Sequence, residues 1–528
     1  MMFVLQALLI GLIYFAANTS FLAGLAYFTT WRPVINGFLV GVVLGEPAQG
    51  ALIGALINVL YLGHISMGGT LGIGDAALAG IGGATIGITL PLPPEITTGL
   101  GVVGGVLLGN LGFPLLTLRM NLDGHLVKRM DDAAARGDGR TITWLNIIPA
   151  QMVLFALTVP SVTALTLVIA ALGPLVTHVP AAILRGLAVA GAGLSGALGI
   201  ALALRSVATS VWQFGFFVVG FVIAGLDSRM SLIVQGSVAT LWVIALGAVG
   251  GMVIGTLYLR RRRTTPAGLP LKPFWLWQFF SHSAYSFERL QGSGLAGALA
   301  PWIERVFPTS AQRSAALRRA LSFFNTEVNL GAMLVSVIAH MERDHARGQV
   351  AERDIEKLKS SSMGTLAGFG DPLIQSALLP AILSTALVVI FHALATQPDH
   401  PPLNGLIGYG AAIGASIFAI GWLSYQAGDT LGRAAIPRLL SSATVRRGEH
   451  IARSLAAFML GALTASPHVI YVPLTPLADG PLDFVRLGAS LVLTLALWMT
   501  SWRPLVKPAA IWIGLLIGGV LLGLQGIV

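Results

Sequence analysis

Cysteine is absent from this chain of 528 residues, which excludes disulfides, thiolate metal sites and thiol catalysis. Charge is scarce too: Asp, Glu, Lys and Arg make up 10% of the residues, where a soluble domain carries roughly 25%. That shortage excludes a soluble enzyme. The first 25 residues carry no basic n-region, so they read as a membrane segment and not as a cleavable signal peptide. The ten histidines, among them His64, His125, His178, His282 and His340, are scattered with no soluble domain around them.

What is present is apolar. Hydrophobic residues account for 55% of the chain and mean hydropathy is +0.80. Apolar runs of about twenty residues, enough to cross a hydrocarbon core of roughly 30 Å, recur as far as Val528. The chain therefore reads as an all-α polytopic (multi-pass) membrane protein. Its net charge of +10 is not a nucleic-acid footprint, because the basic residues fall in clusters between apolar runs. These clusters are Arg119, Lys128, Arg129, Arg136 and Arg140; Arg260 to Arg263; Arg433, Arg438, Arg446, Arg447 and Arg453; and Arg503 with Lys507. That is the positive-inside pattern of cytoplasmic loops, and no nucleic-acid partner is expected.

The chain divides into two halves. Apolar segments near 4–25, 34–62, 66–90 and 96–118 precede a polar loop at 119–143, and four more follow near 147–173, 178–204, 207–226 and 231–259. The stretch from Arg260 to Pro270 is basic and broken by Pro and Gly, as a cytoplasmic linker is. The boundary is placed there, giving a first domain of 1–265 and a second of 266–528. Within the second, 274–360 is amphipathic and charge-bearing, as expected of an interfacial or cytoplasmic helical region, and 361–528 is membrane-embedded. The most charged run, Met341 to Lys359, is expected to be a solvated helical hairpin. With 274–360 not crossing, every basic cluster is cytoplasmic and the C-terminus lies outside.

Glycine is abundant, at 64 residues, and concentrates inside apolar segments, as in Ala79-Gly-Ile-Gly-Gly-Ala. Glycine weakens a helix, and a bilayer accepts it where helices pack closely or where broken helices line a cavity. Asp75 and Asp371 each follow a Gly-rich stretch, one in each half. Half-helix ends near mid-membrane present backbone groups to polar substrates, so the pairing predicts two Gly-rich helical halves with broken or re-entrant helices.

Two short stretches carry the most information. Ser322-Phe323-Phe324-Asn325-Thr326 is followed by Met363-Gly364-Thr365-Leu366-Ala367-Gly368-Phe369-Gly370-Asp371-Pro372. With Ser286-Phe287-Glu288-Arg289-Leu290-Gln291 and Ser424-Tyr425-Gln426-Ala427-Gly428, they make the second half resemble the IID component of the mannose/fructose/sorbose family of the bacterial phosphotransferase system. The first half looks like the matching IIC component, in Arg32-Pro33, in Leu39-Val-Gly-Val-Val-Leu-Gly-Glu46 and in Gly74-Asp75-Ala-Ala-Leu-Ala79. The chain as a whole resembles a fusion of the two.

The resemblance implies an elevator-type sugar permease of the bacterial inner membrane, assembled as a homotrimer. A hexose-type sugar is then phosphorylated through separate soluble IIA and IIB proteins, with no catalytic residue, metal or cofactor in this chain. The residues allow two other readings: a facilitated or ion-coupled transporter of a polar solute on the same fold, and a membrane scaffold or receptor that transports nothing.

Sugar hydroxyls need carboxylate and amide partners, and an unpaired buried Asp or Asn costs several kcal/mol. Candidate substrate-binding residues are Glu46, Asn58, Ser66, Asp75, Asn325, Thr326, Asp371 and Gln375. Asp75, Asp371 and Glu46 have the second reading of helix caps. The chain also departs from the family pattern. Asn58 stands where the family usually has Glu, Ser66-Met67-Gly68 replaces the common Asn-Ile-Gly, and Glu327-Val328 replaces the His-Pro that often follows Phe-Phe-Asn-Thr. These changes point to an altered sugar preference.

Overall fold

The computed structural model describes residues 1–19, 25–63, 74–227, 230–265, 268–466, 469, 484–503 and 507–528. Among them the chain is helical without a strand, and its β pairing is limited to isolated bridges that join Leu290 to Ser286 and to Phe324. Among the described residues six helices are long and apolar enough to cross a membrane: Pro94–Ala135, Gly139–His178, Ala181–Val207, Ser231–Arg261, Glu352–Thr396 and Leu403–Leu440.

Between these lie shorter apolar helices, and the apolar segment 34–62 is the clearest case. It is not one helix but two, Pro33–Leu44 and Pro47–Leu60. Gly45 adopts φ 92°, a left-handed conformation that glycine reaches without strain, and Pro47 starts the next helix where its missing N–H costs nothing. At 1.5 Å per residue each piece is about 18–21 Å long, too short to span about 30 Å of hydrocarbon. The pieces fold back on each other backbone to backbone: a Cβ on Gly50 would sit 2.3 Å from the Gly37 carbonyl oxygen. A second hairpin, Ala76–Thr89 with Pro94–Gly109, is built the same way, a Cβ on Gly105 reaching 2.4 Å from the Ala79 oxygen. Gly50→Ala is therefore expected to destabilise the detergent-purified protein by about 1–3 kcal/mol through overpacking. Gly124→Ala, with nothing within 4 Å, should raise or preserve the thermal midpoint; equal behaviour of the two would refute the backbone contact.

The halves share their cores. Val59 and Leu204 pack in one cluster with Leu383, Tyr409 and Leu460, and Met130 and Leu145 pack in another with Leu299, Trp302, Val335 and Leu366. The stretch 119–143 is not a loop: the Gly112–Ala135 helix runs through it, and Gly139–Leu172 starts at an Asp138 cap whose carboxylate accepts from Thr141 N at 3.0 Å. Hydrogen bonds from Thr141 hold the half-buried Asp138 carboxyl below its ordinary pKa.

The charged run at 341–359 meets the expectation of a solvated helical hairpin on one face and departs from it on the other. It is a hairpin of Val328–Ala346 and Glu352–Asp371, but Met341, Glu342, Arg343, Ile355 and Lys359 are buried. Arg347, Glu352, Arg353, Asp354, Glu356 and Lys357 are exposed, while Glu342, Arg343 and Lys359 turn to other protein groups. Arg319, on the Ser310–Leu321 helix, donates from Nε and Nη2 to the two carboxylate oxygens of Glu342 at 3.2 and 2.7 Å, and from Nη1 to Glu352 at 2.6 Å.

Candidate functional site

A cavity of about 410 Å³ opens between the two halves, and both line it. On the first-half side Tyr27 and Trp31 stack with ring centroids 4.9 Å apart. Behind them the buried Arg32 guanidinium lies 5.3 Å from each ring, a cation held on aromatic faces. Asp75 reaches the same cavity as the N-cap of Ala76–Thr89. Its Oδ1 accepts from Leu78 N at 3.0 Å and its Oδ2 from the Tyr14 hydroxyl at 2.6 Å. Both readings of Asp75 thus meet in one place, a cap that also lines the cavity. Gly112 leaves room for it, since a Cβ there would sit 2.2 Å from the Asp75 Cβ.

The second half supplies a polar loop system. Gln291 grips the Phe-Phe-Asn-Thr loop with both ends of its amide, Oε1 accepting from Thr326 N at 2.9 Å and Nε2 donating to Thr326 O at 2.8 Å. The two segments also pair through Gln291 N to Phe324 O at 2.8 Å. Burial, then the nearby Arg119 charge, lowers the His282 imidazole to about 4, so it is neutral at pH 7. Gln291 Nε2 lies 3.1 Å from His282 Nε2, and a neutral ring nitrogen facing an amide donor is the acceptor.

Held this way, Asn325 is half-buried at the cavity wall, and its amide has no hydrogen-bond partner among the described residues. The Thr326 hydroxyl is buried and unpartnered as well. Glu327, in contrast, is occupied: it N-caps Val328–Ala346, accepting from Leu330 N at 2.7 Å and Asn329 Nδ2 at 2.9 Å. Gly370 packs on it, a Cβ there falling 2.8 Å from the Glu327 Cβ, which brings the second motif against the first.

Asp371 and Gln375 line the cavity from that second motif, with Gln375 Nε2 donating to Asp371 Oδ1 at 3.3 Å. The expected helix break before Asp371 is not there. Glu352–Asp371 runs unbroken through all three glycines into a π-helical turn, Pro372–Leu378, and on into Leu379–Thr396. Neighbouring turns supply the backbone partners that a break would have exposed.

Five of the eight sequence candidates, Asp75, Asn325, Thr326, Asp371 and Gln375, thus share one cavity. Glu46 does not join them: it is exposed at the tip of the first glycine hairpin. Asn58 is fully buried away from the cavity, accepting from Val34 N at 3.3 Å and so fixing the first turn of Pro33–Leu44. Ser66 lies outside the described residues.

Sequence reasoning missed Tyr14, Tyr27, Trp31, His282, Tyr285 and Arg119. Arg119 was grouped with the loop charges, yet it is buried at the cavity wall, donating from Nη2 to the carbonyls of His282 and Ser283 at 3.0 and 2.8 Å. Gln291 had a signal, as the last residue of the Ser286–Gln291 stretch.

The cavity lies among apolar helices of two halves, walled by aromatic rings and edged by a few amides and carboxylates, the architecture of a multi-pass membrane protein with an internal polar cavity. Comparison with known proteins carries this to a family. The model of the PTS system mannose/fructose/sorbose family IID component matches residues 270–528, and that of the PTS system sorbose-specific IIC component matches residues 4–252. The PTS system sorbose-specific EIID component of Klebsiella pneumoniae is 32% identical over 203 residues, 38% of this chain and 71% of that protein. The sorbose-specific EIID component of Lacticaseibacillus casei is 30% identical over 196 residues, 37% of this chain and 66% of that protein. The mannose-specific EIIC component of Escherichia coli K12 is 26% identical over 214 residues, 40% of this chain and 77% of that protein. The chain belongs to the mannose/fructose/sorbose family of the phosphotransferase system, with IIC and IID components fused, and is a sugar-transporting membrane component of that system.

Proposed function

We propose that the cavity between the halves is the sugar site, and that a hexose-type sugar bound there crosses the bacterial inner membrane for phosphorylation by separate IIA and IIB proteins. The observation that carries this reading is the meeting of Asn325, Thr326, Asp371 and Gln375 with Asp75 in one cavity. Stacked rings at Tyr27 and Trp31 suit the C–H face of a sugar, while the amide and carboxylate groups suit its hydroxyls. The short glycine hairpins support an elevator-type movement, in which such a unit shifts as a body, and the family supports assembly as a homotrimer. The linker at 260–270 is proposed as the junction of the two components.

The test is uptake of radiolabelled D-mannose, D-fructose and L-sorbose into membrane vesicles, with and without a complete phosphoryl donor chain. Accumulation of phosphorylated sugar only when donors are present is the expected result. Uptake of unmodified sugar at full rate without donors would reassign the protein to facilitated transport, and no uptake in either condition would reject transport of these sugars.

A further inference from the structure

Lys359 is a buried ammonium, 5% exposed, that meets carbonyl oxygens where a carboxylate would be usual. Its Nζ donates to the carbonyls of Arg319 at 2.8 Å, Ala320 at 3.2 Å and Ser322 at 2.9 Å, and to Ser322 Oγ at 2.7 Å. It also lies 5.6 Å from the Phe324 ring centroid. Arg319 and Ala320 belong to the last turn of Ser310–Leu321, where free carbonyls favour a cation. Such an end is ordinarily satisfied by water or by a following glycine. Here the cap comes from another helix, Glu352–Asp371, and a charge is buried to make it.

The same helix is tied to the same partner a second time. Glu352 receives Arg319 Nη1 at 2.6 Å, and positions 352 and 359, about two turns apart, share a face. The Ser310–Leu321 helix end is therefore clasped by an acid and a base of one helix. Immediately beyond that end stand Asn325 and Thr326; Asp371, about 18 Å further along the clasping helix at 1.5 Å per residue, stands at the cavity with Gln375.

We propose that Lys359 is a positioning residue for substrate recognition: it fixes the Ser322–Thr326 loop to the helix bearing Asp371, so that the two motifs present their polar groups as one rigid unit. This rests on the assignment of the cavity as the sugar site. Lys359 touches no substrate; it acts through Ser322 and the helix end.

The absence of native cysteine makes the test clean. Phe287, exposed and lining the cavity, is replaced as Phe287→Cys to give the sole thiol, and protection of its alkylation by D-mannose, D-fructose or L-sorbose reports occupancy without transport. With Lys359 in place, protection by at least one of these sugars is expected; protection by none overturns the cavity assignment and with it this proposal. Adding Lys359→Met should raise the half-protecting concentration about tenfold, with unchanged alkylation in the absence of sugar, and Lys359→Arg should restore it to within about threefold. In uptake assays on the cysteine-free chain, Lys359→Met should raise KM by a similar factor and leave the maximal rate within about threefold. Protection at the original concentration in Lys359→Met, or a fall in maximal rate with KM unmoved, refutes the positioning role while leaving the site intact. If Lys359→Met does not reach the membrane, Ser322→Ala, which removes one of the four acceptors, is expected to raise KM about threefold, and an unchanged KM refutes the proposal.

Discussion

Asn325→Ala and Asp371→Ala are each expected to reduce sugar uptake by about 10- to 100-fold at low sugar, with the protein present in the membrane at its normal level. The two residues approach this from different starting points. The Asn325 amide carries no internal hydrogen bond among the described residues, so shortening it removes nothing from the fold and takes away a group free to pair with a ligand. Asp371 is buried at the cavity wall, where a hydrogen bond from a sugar hydroxyl to a carboxylate is worth about 1.5–3 kcal/mol. Asp371→Asn keeps the shape and loses the charge, and should fall between wild type and Asp371→Ala. Initial uptake rates normalised to membrane protein are the measurement. Full uptake in both alanine variants would end the assignment of the site.

The largest effect on stability belongs to Arg319. Its guanidinium and the Glu342 carboxylate have side chains only 4% and 2% exposed, and the pair is bidentate. Removing one partner strands the other, which costs about 3–5 kcal/mol, whereas an apolar replacement of both is often neutral. Arg319→Met should therefore markedly lower the thermal unfolding midpoint in detergent, and Arg319→Met with Glu342→Leu should recover most of the loss. Glu352, half-exposed at its end of the network, should matter far less: an exposed ion pair is worth about 0–1 kcal/mol. A double variant no better than Arg319→Met alone would show that the pair is held for something other than mutual neutralisation.

These two cases mark what the residues disclosed in advance and what they concealed. Asn325, Thr326, Asp371 and Gln375 were legible because each sits in a short, polar, glycine- or aromatic-framed run inside an apolar chain, where a polar group needs a reason. Arg319, Glu342 and Glu352 were not, because the partners are 23 and 33 residues apart in sequence and each looks like an ordinary member of a solvated face. Arg119 was hidden in the same way: a basic residue beside a charged stretch reads as a loop anchor, and only the fold brings it to the carbonyls of His282 and Ser283. Tyr27 and Trp31 had no signal, since aromatics are common in any membrane segment. Glu46 and Asn58 were expected at a ligand because a carboxylate or amide in or beside an apolar segment needs a partner. The structure instead puts Glu46 at a hairpin tip and gives Asn58 the amide of Val34.

The π-helical turn at Pro372–Leu378 has a further consequence. A ladder that reaches one residue further than usual holds one residue more than an α-helix would need over the same height, and one residue corresponds to about 100° of rotation. The continuous rod from Glu352 to Thr396 therefore changes phase in the middle. Above the turn, its inner side is the one that meets the cavity. Beyond it the rod is buried on every face, without a gap from Leu379 to Phe391. One rod thus serves the cavity through Ala367, Asp371 and Gln375 at its middle and the apolar core through its following turns, with the shift of phase made by winding and not by a bend.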